Sequence, residues 1–139
     1  MVVLNYINGK MQEAVSGLQL DNFEPATGNV YGHVADSDSA DVQLAFEAAN
    51  AAKSNWANTA AEEKFKWLNA LADAIDADRE NFAKAESRDQ GKPLWLARNE
   101  MIRAAQNFRF FATAAMQFAS ESHAMENKAI NYTLRQPVG

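Results

Sequence analysis

The sequence predicts a mostly α-helical chain with short antiparallel β-strands at both ends. Three observations point there. Between about residues 38 and 120, apolar side chains recur at helical spacing through an alanine-rich background. Before that stretch, short alternating runs are separated by Asn8-Gly9, Ser16-Gly17 and Pro25-Ala26-Thr27-Gly28, the punctuation of hairpins and turns. After it, Ala129 to Arg135 alternates again.

In order along the chain, Leu4 to Ile7 reads as a strand and Asn8-Gly9 as a two-residue hairpin turn, since both positions tolerate positive φ. Met11 to Ala14 returns, Ser16-Gly17 turns again, and Leu18 to Phe23 and Val30 to Ala35 are further strands around the Pro25–Gly28 loop. Asp38 or Ser39 caps the first helix, with Asp41 well placed in its first turn. Its stripe is Val42, Ala45, Phe46, Ala49 and Lys53, leading to Trp56. Thr59-Ala60-Ala61-Glu62 has the form of a capping box opening a second helix, whose apolar face includes Phe65, Leu68, Leu71, Ala72, Ile75 and Phe82. That helix runs on to Ser87 and stops at Gly91. Pro93 starts a third helix reaching about Ser120; Phe108, Phe110 and Phe111 do not share one stripe, so burial on more than one side is expected. Residues 121–128 read as a polar loop before the last strand. The expected organisation is a hairpin and strand region over 1–36, three helices over 37–120 and a terminal strand over 128–136.

Composition narrows the function. The chain has 139 residues and a net charge of −5, with its 13 Lys and Arg dispersed, which disfavours nucleic acid and anionic membranes as partners. No apolar run is long enough to cross a membrane, and the N-terminus lacks the basic and apolar regions of a signal peptide. There is no cysteine, hence no thiolate nucleophile, disulfide or zinc-thiolate site in these residues. No glycine-rich phosphate loop is present, and His33 and His123 are too far apart in sequence to suggest a metal pair. Glu62, Glu63, Asp73, Asp76, Asp78 and Glu80 read as solvated helix faces. The residues alone display no catalytic constellation.

The order of short motifs is more informative. "NYINGKM" is followed by "FEPATGNVYGHVADSD", a capped helix, "AESRDQGKPLWLAR", "QNFRFFA" and "YTLRQPVG". This set resembles the N-terminal part of the NAD(P)-dependent aldehyde dehydrogenase superfamily, across essentially the whole chain. Within it, "AESRDQGKPLWLAR" with "QNFRFFA" is similar to the 2-aminomuconic and 2-hydroxymuconic semialdehyde dehydrogenases. Two positions depart from the family pattern: Glu24 stands where Asn is usual and Met11 where Trp is usual.

The resemblance implies an α/β, Rossmann-type fold of which this chain is the N-terminal portion, in a cytoplasmic homodimer or homotetramer. The terminal strand would belong to an oligomerisation sheet. The third helix would line the substrate tunnel, where Arg103 matches an arginine that binds the substrate carboxylate; the planar guanidinium suits a bidentate carboxylate. The plainer reading of Arg103 is a surface residue pairing Glu100 at i−3, and Arg109 is the fallback. Asn22, Phe23 through its backbone carbonyl, and Asp89 match positions that hold a monovalent cation in some members; the plainer reading of Asp89 is a residue of a helix's last turn. The cysteine, glutamate and asparagine of the family's chemistry, and the NAD or NADP site, lie beyond the last residue here. The chain is therefore expected to bind no cofactor alone and to be inactive alone. The alternative is a non-catalytic helical association module derived from this family.

Overall fold

The computed structural model describes residues 2–126 and 128–136. In chain order the elements are β1 (Val2–Val3), β2 (Asn5–Ile7), β3 (Lys10–Gln12), β4 (Gln19–Glu24), β5 (Asn29–Ala35), α1 (Ser39–Asn58), α2 (Ala61–Ala77), α3 (Arg79–Gln90), α4 (Leu94–Gln117), β6 (Ser122–Met125) and β7 (Ala129–Tyr132). Asn8 and Gly9 both take positive φ, 51° and 76°, and fold β2 onto β3 with Tyr6 opposite Met11. β4 and β5 pair antiparallel around the Pro25–Gly28 turn, and β1 adds to the far side of β5. That last pairing is parallel, so the N-terminal strands are not all antiparallel as expected.

Asp38 caps α1, accepting from the Ala40 amide at 2.7 Å. Asp41 does more than favour a helix start. It is 2% exposed and accepts from the amides of Val15 (3.0 Å) and Asp38 (3.1 Å) and from Asn5 Nδ2 (3.3 Å), so one buried carboxylate ties hairpin, turn and helix together. Buried charge is retained where donors satisfy it. The stripe read from α1 does not pack: Val42 and Phe46 are exposed.

The expected second helix is two. It breaks at Asp78 (φ −109°, ψ 19°), which ends α2 and precedes α3, giving four helices rather than three. The capping box at Thr59 does not form either. Thr59 is the C-cap of α1, its hydroxyl donating to the Asn55 carbonyl at 2.8 Å, and Ala60 is the N-cap of α2, with no side-chain cap. The N-cap falls one residue later than the box requires, and the Thr59 side chain is aimed back into α1.

The helical core lies between α2, α3 and α4. Its fully buried members are small: Ala72, Ala83, Ala97, Ala105 and Ala112. Methyl groups at the seam let helix backbones approach at the short end of the usual 8–10 Å spacing. Burial of α4 on more than one side is not found, since Phe110 and Phe111 are exposed, stacked edge to face at 5.2 Å. Residues 122–125, read as loop, instead form β6, pairing antiparallel with β7 from Ser122–Tyr132 to Met125–Ala129. Pro137 and Gly139 of the terminal motif lie outside the described residues. Among the described residues no helix is long and apolar enough to cross a membrane.

Candidate functional site

Two clusters flank the corner between α3 and α4. In the first, β4 brings Asn22 and α3 brings Asp89 within hydrogen-bond reach across 67 positions of sequence: Asn22 Nδ2 donates to Asp89 Oδ1 at 2.9 Å. A third member joins them. Asn22 faces Gly32 and Phe23 faces Val30, so Tyr31 is an extra residue on β5 without an opposite number. Such a bulge re-aims a side chain. The Tyr31 hydroxyl donates to Asp89 Oδ1 at 2.6 Å and accepts from Asn22 Nδ2 at 3.0 Å. That bond, then the one from Asn22, holds the Asp89 carboxyl below its ordinary range, and the bond to Asp89 raises the Tyr31 phenol above its own. Asp89 is thus an ionised, oriented carboxylate.

Asp89 is fixed by the corner beside it. Gly91 takes φ 71° and its amide donates to the Ser87 carbonyl at 2.9 Å, closing α3. An added Cβ at Gly91 would lie 3.0 Å from the Cβ of Pro25, so only glycine meets both the left-handed turn and the close approach of the β4–β5 loop. Arg88 Nε donates to Glu24 at 3.2 Å while its guanidinium covers the Tyr31 ring at 4.4 Å. Glu24, the departure from the family pattern, therefore has a partner of its own.

The second cluster is on α4. Pro93 occupies the N-cap, one position earlier than expected, and its carbonyl accepts from the Leu96 and Ala97 amides. Arg103 projects with 71% of its side chain exposed, and Glu100 lies 3.9 Å from its Nη2, too far for a hydrogen bond. Lys92 Nζ donates to Glu86 at 2.6 Å and to Glu100 at 2.7 Å. Arg109, the fallback, is engaged elsewhere: Nη2 donates to Asp73 at 2.6 Å and Nη1 to Asp76 at 2.7 Å, joining α4 to α2. These bonds raise the guanidinium's pKa, and the one to Asp76, with a second from Arg79, lowers that carboxyl.

The structure thus unites Asn22 and Asp89, leaves Arg103 open and removes Arg109. Asp89 supplies a carboxylate, a donor suited to a hard cation, and Asn22 turns its amide nitrogen toward that carboxylate. His33 pairs with Asp21 across the β4–β5 ladder at 3.3 Å, and among the described residues no group of three His, Cys, Asp or Glu gathers for a metal. Tyr31 and Lys92 were not singled out from sequence. A glycine inside a strand run, Gly32, is the local signal that goes with a bulge; nothing local pointed to Lys92.

Viewed as a whole, the architecture is the N-terminal part of the α/β aldehyde dehydrogenase fold. It superposes on indole-3-acetaldehyde dehydrogenase in its apo form with a TM-score of 0.93 at 26% identity, over 99% of this chain and 32% of that one. It superposes on PnpE in complex with nicotinamide adenine dinucleotide with a TM-score of 0.90 at 32% identity, over 95% and 27%. The chain belongs to the aldehyde dehydrogenase family, whose profile matches residues 12–139. It is 41% identical over 141 residues to the 2-aminomuconic semialdehyde dehydrogenase of Danio rerio, covering 100% of this chain and the N-terminal 28% of that protein. It is 36% identical over 138 residues to the 5-carboxymethyl-2-hydroxymuconate semialdehyde dehydrogenase of Escherichia coli, covering 99% and 29%. The chain therefore spans well under a third of the length of these relatives.

Proposed function

We propose that this chain is the N-terminal portion of an NAD(P)-dependent aldehyde dehydrogenase that oxidises a carboxylate-bearing semialdehyde, such as 2-aminomuconic or 2-hydroxymuconic semialdehyde, to the acid. The observation that carries the reading is the match of 99–100% of this chain to 28–29% of the length of semialdehyde dehydrogenases. The surface agrees with it. The accessible area is 10323 Å², against about 7,100 Å² for a compact monomer of this mass. Exposed Phe110, Phe111 and Phe118 account for part of that excess. Faces of this kind belong against more protein, here the catalytic and nucleotide-binding remainder of the same polypeptide, with residues 128–136 in an oligomerisation sheet of a cytoplasmic dimer or tetramer.

In this reading Arg103 binds the substrate carboxylate through its planar fork, while Asn22, the Phe23 carbonyl and Asp89 offer oxygens to a monovalent cation. The thiolate that attacks the aldehyde and the donors that stabilise the resulting oxyanion come from the remainder, since these residues include no cysteine. NAD or NADP, when bound there, supplies the hydride acceptor. What this chain contributes is the orientation of a charged aldehyde and the rigid corner that holds it.

Two experiments test the reading. The native polypeptide should have a mass well above 15.3 kDa; a species of that mass, with no cysteine-bearing partner, would leave the association module instead. In the full-length enzyme, Arg103→Ala should raise KM for carboxylate-bearing aldehydes about tenfold to a hundredfold, the size of a lost charge-assisted contact, and spare uncharged aldehydes. Equal effects on both substrate types would sink the carboxylate role.

A further inference from the structure

Glu100 and Arg103 occupy i and i+3 of one helix, with the acidic residue first. On an isolated helix that spacing makes an ion pair. An arginine so paired has its fork covered by a carboxylate from its own helix and meets a substrate carboxylate at a disadvantage. The structure shows that pair only at long range, Glu100 Oε1 3.9 Å from Arg103 Nη2 and beyond hydrogen-bond reach. The other oxygen, Oε2, accepts from Lys92 Nζ at 2.7 Å. Lys92 is the more enclosed of the two cations, its side chain 17% exposed against 71% for Arg103. It also holds Glu86 at 2.6 Å, so one compact ammonium takes a carboxylate from each helix beside the corner.

The backbone fixes where that ammonium sits. Gly91 reverses the chain, Ser87 Oγ donates to the carbonyl of Lys92 at 2.7 Å, and Pro93 opens α4 immediately after. The ammonium is thereby set between Glu86, one turn before the end of α3, and Glu100, in the second turn of α4. The two carboxylates, Glu100 first and Glu86 second, hold the Lys92 ammonium above its ordinary pKa, so it stays charged through the neutral range.

We propose that Lys92 is a positioning residue for Arg103: by holding Glu100 through Oε2 it keeps the nearest competing carboxylate from closing to hydrogen-bond contact and leaves the guanidinium open to the carboxylate of the substrate. The inference rests on the reading of Arg103 given above and adds to it the device that prevents self-quenching. Without Lys92, Glu100 has Arg103 as its nearest remaining cation, and a side chain with two free oxygens and a guanidinium three residues on will close on each other.

The test uses the full-length enzyme and a matched pair of aldehydes, one bearing a carboxylate and one uncharged. Lys92→Met should raise KM for the charged aldehyde about tenfold, one charge-assisted contact's worth, with kcat and the uncharged aldehyde unchanged. Adding Glu100→Gln to Lys92→Met should bring KM back to within about twofold of the parent, because a neutral amide no longer captures Arg103. A loss shared by both aldehydes, or no recovery in the double variant, overturns the proposal. If Lys92→Met does not fold, Glu100→Gln alone decides by its sign. KM for the charged aldehyde unchanged or lowered agrees; a rise means that Glu100 orients Arg103 and overturns it. Failure of the underlying reading is a separate result, an Arg103→Ala enzyme whose KM for the charged aldehyde does not move.

Discussion

Arg103 and Arg109 stand on the same helix, about 9 Å apart along its axis. Arg109 is held by two carboxylates of α2, and its bonds close the α2–α4 seam over buried Ala72, Ala105 and Ala112. Arg103 meets no such pair, because the acidic residue nearest to it on α4 is turned toward Lys92. One arginine belongs to the fold and the other is left to the surroundings. The chemistry of the two side chains is identical; what differs is whether a carboxylate reaches them from another element. That is why the Arg109 guanidinium is engaged within the fold.

The contrast between a closed seam and an open face can be broken most severely at the seam. Ala105→Leu should overpack it and destabilise the protein by about 1–3 kcal/mol, read as a lower melting temperature. No loss would mean that the helices spread easily and that the seam is not close-packed. A smaller effect is expected from Arg109→Ala, which takes from Asp73 its partner and leaves Asp76 with Arg79 alone, lowering the melting temperature, whereas Arg103→Ala leaves it unchanged. The gap between parent and Arg109→Ala should narrow toward 1 M salt, where the screening length is about 3 Å. Equal thermal behaviour of the two arginine variants would erase the distinction.

The smallest effect is spectroscopic. Asp89 is lowered chiefly by the Tyr31 hydrogen bond, so its contribution is complete above about pH 4 and fades as pH falls through its depressed value. Tyr31 is raised chiefly by Asp89, so its contribution is complete below about pH 10 and fades as pH rises through its elevated value. In Asp89→Asn the alkaline titration of Tyr31, followed by tyrosinate absorbance, should move back toward pH 10. An unmoved titration would show that the cluster is not formed in solution.

Much of the fold was legible because its signals are local. Asn8-Gly9, the Asp38 cap and the Gly91 stop each depend on one or two residues, and each stands where the sequence puts it. The breaks came where a distant or competing partner decided. Nothing in "DAIDADREN" announces that Asp78 divides α2 from α3; no glycine or proline marks it. Thr59 had a correct capping-box sequence, but it ends α1 with its hydroxyl aimed back at Asn55, and Ala60 takes the N-cap of α2. The stripe of α1 was correctly periodic and yet unpacked, and toward the end of α4 Phe110, Phe111 and the C-cap Phe118 stay exposed while Ala112 is buried, because periodicity names a face without saying what covers it. At the site, Asn22 and Asp89 were legible through motif order, whereas Tyr31 required the bulge and Lys92 required the meeting of two helices.

The alanine seam has a mechanical consequence. A helix interface centred on large interlocking side chains resists sliding because each knob would have to climb out of its hole. Methyl groups leave shallow corrugation, so the axial setting of α4 against its neighbours rests in part on the ion pairs at its flanks, Arg109 with Asp73 and Asp76, Arg98 with Glu80, and Lys92 with Glu86 and Glu100, beside half-buried side chains such as Leu68, Ile75 and Phe108. Charge, in this chain, helps to set how far along the bundle α4 carries Arg103, and rising ionic strength weakens that share.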